Sequence, residues 1–239
     1  MSLYRDKGVV LRTIKLGETD RIVSILTQGN GKVRAVAKGI RRPGSRFGAR
    51  LEPTSHVALQ CYRGRELDVV TQVETIDAFR PLREHYASLT HAVSMLEAAD
   101  TVAQERERNQ ALYRMLVGGL RTLATTPSAL VAPAFFWKLL SLEGFHPLLD
   151  GCARCGDDAG PFPGFDYGEG GVLCEACARF GGRRLRPAVL EMLHRILGGG
   201  LAGALADPGG DEVVTEVERL GVGALEYHLE RRLRSAALL

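Results

Sequence analysis

No stretch of this sequence holds the ~18 uninterrupted apolar residues that a membrane helix requires, which argues against a membrane-spanning helix. The N-terminal residues, MSLYRDKGVV, meet charge before they can build the apolar centre of a signal peptide, so a cytoplasmic protein is expected. There is no G-x-x-x-x-G-K-[ST] motif: GNGK at 29–32 is followed by Val33, and ATP hydrolysis is not expected. Nor is there an acid pair, a Ser–His–Asp set or a carboxylate cluster suited to two metals, so the expectation is a protein that is not an enzyme. A further absence is local. Residues 31–50, GKVRAVAKGIRRPGSRFGAR, contain no carboxylate, while Lys32, Arg34, Lys38, Arg41, Arg42, Arg46 and Arg50 are all positive.

The chain has 239 residues, 45% of them hydrophobic, enough to bury a core in one large domain or in two small ones plus an insert. Its formal charge of +3 hides an asymmetry. Residues 1–79 carry 14 basic and 8 acidic residues, a net of +6, leaving 17 basic and 20 acidic, or −3, for the rest. A positive field confined to one part suggests that this part meets nucleic acid or another acidic surface.

From 8 to 79 the pattern is strand-like. GVVLRTIKLG, RIVSILTQ, KVRAVAKGI, SHVALQCYRG and ELDVVTQVETI are short β-branched runs separated by turn residues, with QGNG and RGR as hairpin connections. Five antiparallel strands in about 70 residues suit a small Greek-key barrel of the OB type, whose strands and loops bind oligonucleotides. After Pro81 the spacing becomes helical: Leu82, Tyr86, Leu89, Val93 and Leu96 share a face, and Leu112, Met115, Leu116 and Leu120 mark a second helix. APAFFWKLLSLEG supplies a third, ending at Gly144. A polar, Gly-rich insert follows at 145–182, then helices near 187–197 and 211–235, separated by a flexible GGGLAGALADPGG.

Cys152, Cys155, Cys174 and Cys177 form C-x2-C-x18-C-x2-C, the spacing of a four-thiolate zinc site. The two-residue gap turns both sulfurs of a pair toward one ion, and Gly156 eases the turn. Four thiolates leave no open coordination position, so one structural Zn2+ is expected, supplying folding free energy to a segment with little core. The alternatives are disulfides or redox pairs, disfavoured without a secretory signal or a thioredoxin-like pattern, and a catalytic zinc. HLE at 228–230 imitates part of a deaminase signature but follows the cysteines, and Leu173 stands where that signature has proline before Cys174. Cys61 reads as a buried strand thiol, His85, His91 and His194 as ordinary helix histidines, and His146 as unnecessary to a full site.

Within KVRAVAK, alternation puts Lys32, Arg34, Val36 and Lys38 on one face and Val33, Ala35 and Ala37 on the inner one. Outward cations about 7 Å apart match phosphates along an extended strand. The loop GIRRPGSRFGAR adds four arginines suited to bidentate phosphate contact. A charged edge strand that merely resists aggregation would need fewer cations. Phe47 and Tyr62 are the aromatics available for base stacking, a sparse platform, so backbone electrostatics should dominate over sequence readout.

The run GVVLRTIKLGETDRIVSILTQGNGKVRAVAKGIRRPGSR, with LGETDRIV and AVAKGIRRPGSR in combination, closely resembles the start of the RecO family of bacterial recombination mediators. The order of barrel, helical domain and inserted four-cysteine motif extends the resemblance over essentially the whole chain. What it implies is an α+β multidomain protein: a five-stranded OB-fold β-barrel at 1–80 and an α-helical domain at 81–239 bearing a four-cysteine zinc-finger insert at 145–182. It further implies a DNA repair and recombination protein that binds single- and double-stranded DNA and anneals complementary strands without ATP. With RecR, such proteins help load RecA onto SSB-coated single strands, in a cytoplasmic, nucleoid-associated setting. The basic residues match the family's DNA-binding barrel region. The helical part receives the SSB tail in the family, but no short motif maps that pocket here. Because some relatives lack the cysteines, the zinc is read as stabilising. The readings set against this one are an RNA-binding accessory of translation or transcription and a zinc hydrolase or deaminase.

Overall fold

The computed structural model describes residues 2–45 and 47–238; Arg46, one of the seven cations, lies outside the described residues. The chain forms two compact units, Met1–Pro127 and Ser128–Ala237.

The first unit contains strands β1 (Leu3–Leu16), β2 (Asp20–Thr27), β3 (Gly31–Ala37), β4 (His56–Tyr62) and β5 (Asp68–Asp77), closed into a barrel in the order β1-β2-β3-β5-β4. This is the OB fold. Strand β1 is longer than its β-branched run because it serves two partners. Leu3–Val9 pairs with β4 and Gly8–Leu16 with β2, with a register shift between Val10 and Arg12. The strands are not all antiparallel: β3 and β5 run parallel, with Ala35 opposite Asp68. Side-chain alternation fixes which face is buried and says nothing of strand direction. The barrel core is built from the inward residues of alternating pairs, among them Val23, Ile25, Val33, Ala35, Val57, Leu59 and Val70. Cys61 is buried with them, its thiol pushed up to about 12 by burial and by the Asp68 charge.

Asp68 sits at the β3–β5 junction with its side chain almost wholly enclosed. It accepts from Tyr4 Oη at 2.5 Å, Gly64 N at 2.9 Å and Arg106 Nη2 at 3.0 Å. A buried carboxylate is tolerated only with such partners.

Helices α1 (Arg80–Glu84), α2 (Tyr86–Val102) and α3 (Gln110–Thr125) pack with the barrel in this unit. The stripe through Leu82, Tyr86 and Leu89 does not survive as one helix face. His85 is extended and ends α1, which resets the helical phase; Tyr86 is then 75% exposed, and α2 buries Ser88, Ala92, Met95, Leu96 and Ala99. Helix α3 follows its expected stripe, burying Leu112, Leu116 and Leu120, and is capped by Asn109, whose Oδ1 accepts from Leu112 N at 2.9 Å.

The second unit contains α4 (Val131–Leu142), a small sheet of β6 (Gly164–Asp166), β7 (Gly171–Leu173) and β8 (Arg183–Arg184), and helices α5 (Glu175–Ala178), α6 (Pro187–Leu197), α7 (Leu201–Ala206) and α8 (Asp211–Leu229). Phe135, Phe136, Leu139 and Leu140 are buried, and Trp137 Nε1 donates to Val217 O of α8 at 3.0 Å. Gly144 N and Phe145 N donate back to Ser141 O and Leu140 O, terminating α4 at its glycine. Two expectations change here. The stretch expected to be flexible contains α7, with Ala204 buried and its end tied by Arg195 Nη2 donating to Gly203 O at 2.6 Å. Helix α8 stops at Leu229, not 235. Among the described residues no helix is long and apolar enough to cross a membrane.

Candidate nucleic-acid interface and metal centre

Strand β3 alternates as its sequence requires: Val33, Ala35 and Ala37 are buried, while Lys32, Arg34 and Val36 face outward. The tertiary structure then divides the basic segment. Lys32 Nζ donates to Asp100 O at 2.7 Å and lies 3.3 Å from Asp100 Oδ1, whose other oxygen pairs with Arg12 at 2.7 Å. The Lys32 side chain keeps only 15% of its exposure. Arg34 Nη1 lies 3.6 Å from Glu105 Oε1. The strand that carries these cations is followed closely by the segment after α2, since Lys32 N and O both bond to it, through Gln104 O and Arg106 N. A Cβ on Gly31 would come within 1.9 Å of Glu107 O, so this close approach needs glycine.

The two pairs differ in weight. The Arg34–Glu105 pair is open to solvent on both sides, and such pairs contribute about 0–1 kcal/mol, so a competing phosphate can displace the carboxylate. Lys32 and Asp100 are mostly enclosed and shared with Arg12, and separating them would strand a partly buried charge.

Past Ala37 the cations open out. Lys38, Arg41, Arg42 and Arg50 are exposed, and neither Lys38 nor Arg42 forms an ion pair among the described residues. Their backbone is held. Asp20 accepts from Gly39 N at 2.8 Å and from Thr19 Oγ1 at 2.8 Å; these bonds, with the Lys38 and Arg42 charges, keep its carboxyl below the usual carboxylate range. Arg41 N donates to Thr19 O at 3.0 Å and Arg41 Nη1 to Glu18 O at 2.8 Å, fastening the loop to the β1–β2 turn. Beyond it, Phe47 and Leu51 are buried in the barrel core. Phe47, 1% exposed, is therefore an anchor and not a stacking platform; its place after a run of polar loop residues hid its burial. Tyr62 is 43% exposed.

In the second unit the ligand atoms of Cys152, Cys155, Cys174 and Cys177 all lie within 4.8 Å of one another, with Cys155 Sγ and Cys174 Sγ 3.7 Å apart. A tetrahedron with ~2.3 Å metal–sulfur bonds has edges of about 3.8 Å, so the donor set fits one ion. Each pair forms the same knuckle: Gly156 N donates to Cys152 O at 2.8 Å and Ala178 N to Cys174 O at 2.9 Å. Gly156 takes φ of +78°, the left-handed turn expected of it. Burial opposes ionisation of Cys152, but hydrogen bonds from the Cys174, Cys155 and Arg154 backbones outweigh it and bring the thiol to about 6. Cys177 is pushed up to about 12 by burial and by its sulfur neighbours. Four thiolates this close need a cation to remain ionised together. The local core is slight, Cys152, Leu173 and Cys174 with Phe162, Cys177 and Ala178 around them. His146 hydrogen-bonds Ser141 at 2.9 Å and His228 stacks on Phe145 at 4.2 Å, both outside the cluster.

Sequence reasoning missed Asp100 and Glu105. They lie more than 60 residues from the cations they meet, and no local pattern announces them.

Residues 1–79 match the family described as Recombination protein O N terminal, and residues 83–237 the family described as Recombination protein O C terminal. Over its whole length the chain is 43% identical to the DNA repair protein RecO of Thermobifida fusca (strain YX), 99% of which is covered. It is equally 43% identical to the DNA repair protein RecO of Nocardioides sp. (strain ATCC BAA-499 / JS614), with 98% of each chain covered.

Proposed function

This chain belongs to the RecO family, and on that premise we propose that it works as a non-catalytic mediator of DNA repair and recombination that acts by bringing strands together. The observation that carries the reading is the full-length match to both halves of the family, joined to a barrel whose open cations gather in one loop. Lys38, Arg41, Arg42, Arg46 and Arg50 neutralise phosphates of single- and double-stranded DNA, with Arg34 exchanging Glu105 for a phosphate and Lys32 holding the strand that presents them. Neutralisation lowers the repulsion between two strands, and complementary strands anneal without ATP because base pairing itself supplies the driving force. Sequence readout is absent from this scheme: phosphate contacts position a strand and do not discriminate bases.

Residues 1–80 form the nucleic-acid-binding domain in this reading, 81–239 the helical domain and 145–182 its metal-binding insert. Zinc is the ion best suited to the four thiols, and it would supply structural closure of the insert with no open coordination position. RecR, SSB and, indirectly, RecA are the partners, and the setting is the nucleoid of the cytoplasm.

With four to six phosphates neutralised per site, affinity for single strands falls with salt at a log–log slope of roughly −3 to −4. Reversing Arg41 and Arg42 to Glu is expected to remove most DNA binding and annealing while circular dichroism stays that of the parent. Binding equal to the parent in a gel-shift titration would refute the placement of the site. Annealing of SSB-coated complementary strands, with and without RecR, tests the wider role; a strong preference for structured RNA with no annealing would overturn it.

A further inference from the structure

The end of the cysteine insert and the strand that follows it carry a second cluster of cations that the barrel does not explain. Between Glu175 and Glu191 the chain reads ACARFGGRRLRPAVL, with Arg179, Arg183, Arg184 and Arg186 and no carboxylate. At the tip of this run Phe180 is 84% exposed, the most exposed large hydrophobic side chain among the described residues. Its backbone is fixed. Phe180 N donates to Cys177 O at 3.1 Å, directly off the second cysteine knuckle. The turn closes through Gly182 at φ +93°, where a Cβ would meet Leu173 Cδ1 at 2.8 Å and Phe165 O at 3.1 Å, so no other residue fits. The next two residues form the edge strand β8 against β6, with both arginine side chains exposed.

The charges around the ring are available. Among the described residues Arg179 has only the solvent-exposed i,i+4 pair with Glu175, of the order of a few tenths of a kcal/mol. The Arg184 guanidinium has no hydrogen-bond or ion-pair partner among the described residues. Arg183 is exposed and lies over the Tyr167 ring at 5.1 Å, with no ion pair among the described residues. Arg186 is different: it is held by Glu212 and Glu216 and takes no part.

A rigidly presented aromatic face beside uncommitted guanidinium groups is the chemistry of single-strand recognition, a base on the ring and phosphates on the arginines. We propose that the end of the cysteine insert, Phe180 with Arg179, together with Arg183 and Arg184 of the adjoining β8, is a second DNA contact, selective for single strands through stacking of one unpaired base on Phe180. It rests on the reading of the chain as a DNA-binding protein and assigns the insert a role beyond holding its metal.

The test uses the full chain and the anisotropy of a dye-labelled oligo-dT and of a duplex of equal length, over a range of salt. Phe180→Ala should weaken oligo-dT binding roughly 5- to 150-fold, the contribution of one stacked base. Its salt slope and duplex affinity should stay those of the parent, and Phe180→Trp should restore binding. Arg179→Ala with Arg184→Ala should instead flatten the single-strand slope by about 1.4. Metal content per chain and circular dichroism establish that each variant is folded. Parental oligo-dT affinity in both variants overturns the proposal, and so does equal weakening of single strand and duplex by Phe180→Ala. If the parent binds and Arg41→Glu/Arg42→Glu does not, while the insert variants behave as the parent, this inference alone fails. A parent that binds no DNA sinks the functional reading as well.

Discussion

The barrel and the cysteine insert reach order by opposite routes. The barrel closes five strands on an interior of Val, Ile, Leu and Ala, joined by Phe47 and Leu51, and its fully buried carboxylate, Asp68, is met by Tyr4, Gly64 and Arg106. Around its four cysteines the insert has only a slight apolar cluster, Cys152, Leu173 and Cys174, and it buries few other large apolar side chains, Leu149, Phe165 and Val172 among them. Burying each apolar side chain contributes about 1.5–3 kcal/mol, so the barrel can stand on many such terms, while the insert has fewer of them and a four-thiol cluster that can hold an ion.

The sharpest way to break the comparison is to deny the four thiols an ion. Treatment with a high-affinity chelator, or replacing Cys174 by Ser, should unfold residues 150–180 and leave the barrel intact, since a structural ion held by four such thiols would be worth about 10–16 kcal/mol. Hydrogen exchange would read it as rapid amide exchange confined to the insert; exchange rising equally in β1–β5 would contradict the division. In the barrel the largest single loss should come from Phe47→Ala, about 3–5 kcal/mol of unfolding free energy in urea titration, with the metal content unchanged.

Finer tests separate the cations. Lys32→Ala should cost about 1–2 kcal/mol of stability, because Asp100 then keeps only Arg12, while Arg34→Ala should stay within about 1 kcal/mol. Paired urea titrations decide this, and equal losses would mean that the enclosure of Lys32 carries no weight. The smallest effect concerns pH. His56 is buried, with Nε2 2.8 Å from Tyr113 Oη and Nδ1 without a partner, and burial lowers its pKa, with Arg121 and Lys7 adding to this against the Asp77 charge. The folded state therefore binds its proton less readily than the unfolded state. The histidine's contribution is full above about pH 6.5 and declines as pH falls toward the lowered folded value. His56→Gln should flatten that part of the stability profile measured between pH 7 and 5; an unchanged slope would assign it to other groups.

The sequence was most legible where a short-range rule binds residue type to position. The alternation in KVRAVAK, the Gly144 stop and the two C-x2-C knuckles all appear where local spacing puts them. It was least legible where partners are distant. Tyr86 sits on the expected apolar stripe, yet one extended residue, His85, turns it to solvent. Phe47, in a loop rich in arginine and glycine, becomes part of the barrel core, packed with strand residues distant in sequence. The acid-free run around Phe180 was visible as composition; its exposure was not.

By itself, the sequence determined the barrel's inner face, the four thiols that can hold a metal and the family. These rest on period-two alternation, fixed ligand spacing and extended similarity, all properties of neighbouring residues. Only the tertiary structure decided which cations remain open. Asp100 at the end of α2 and Glu105 just after it come to Lys32 and Arg34, while Lys38 and Arg42 form no ion pair among the described residues. Charge is local in sequence but its neutralisation is a matter of distance in space, and a seven-cation run thereby becomes a tethered strand and an open loop.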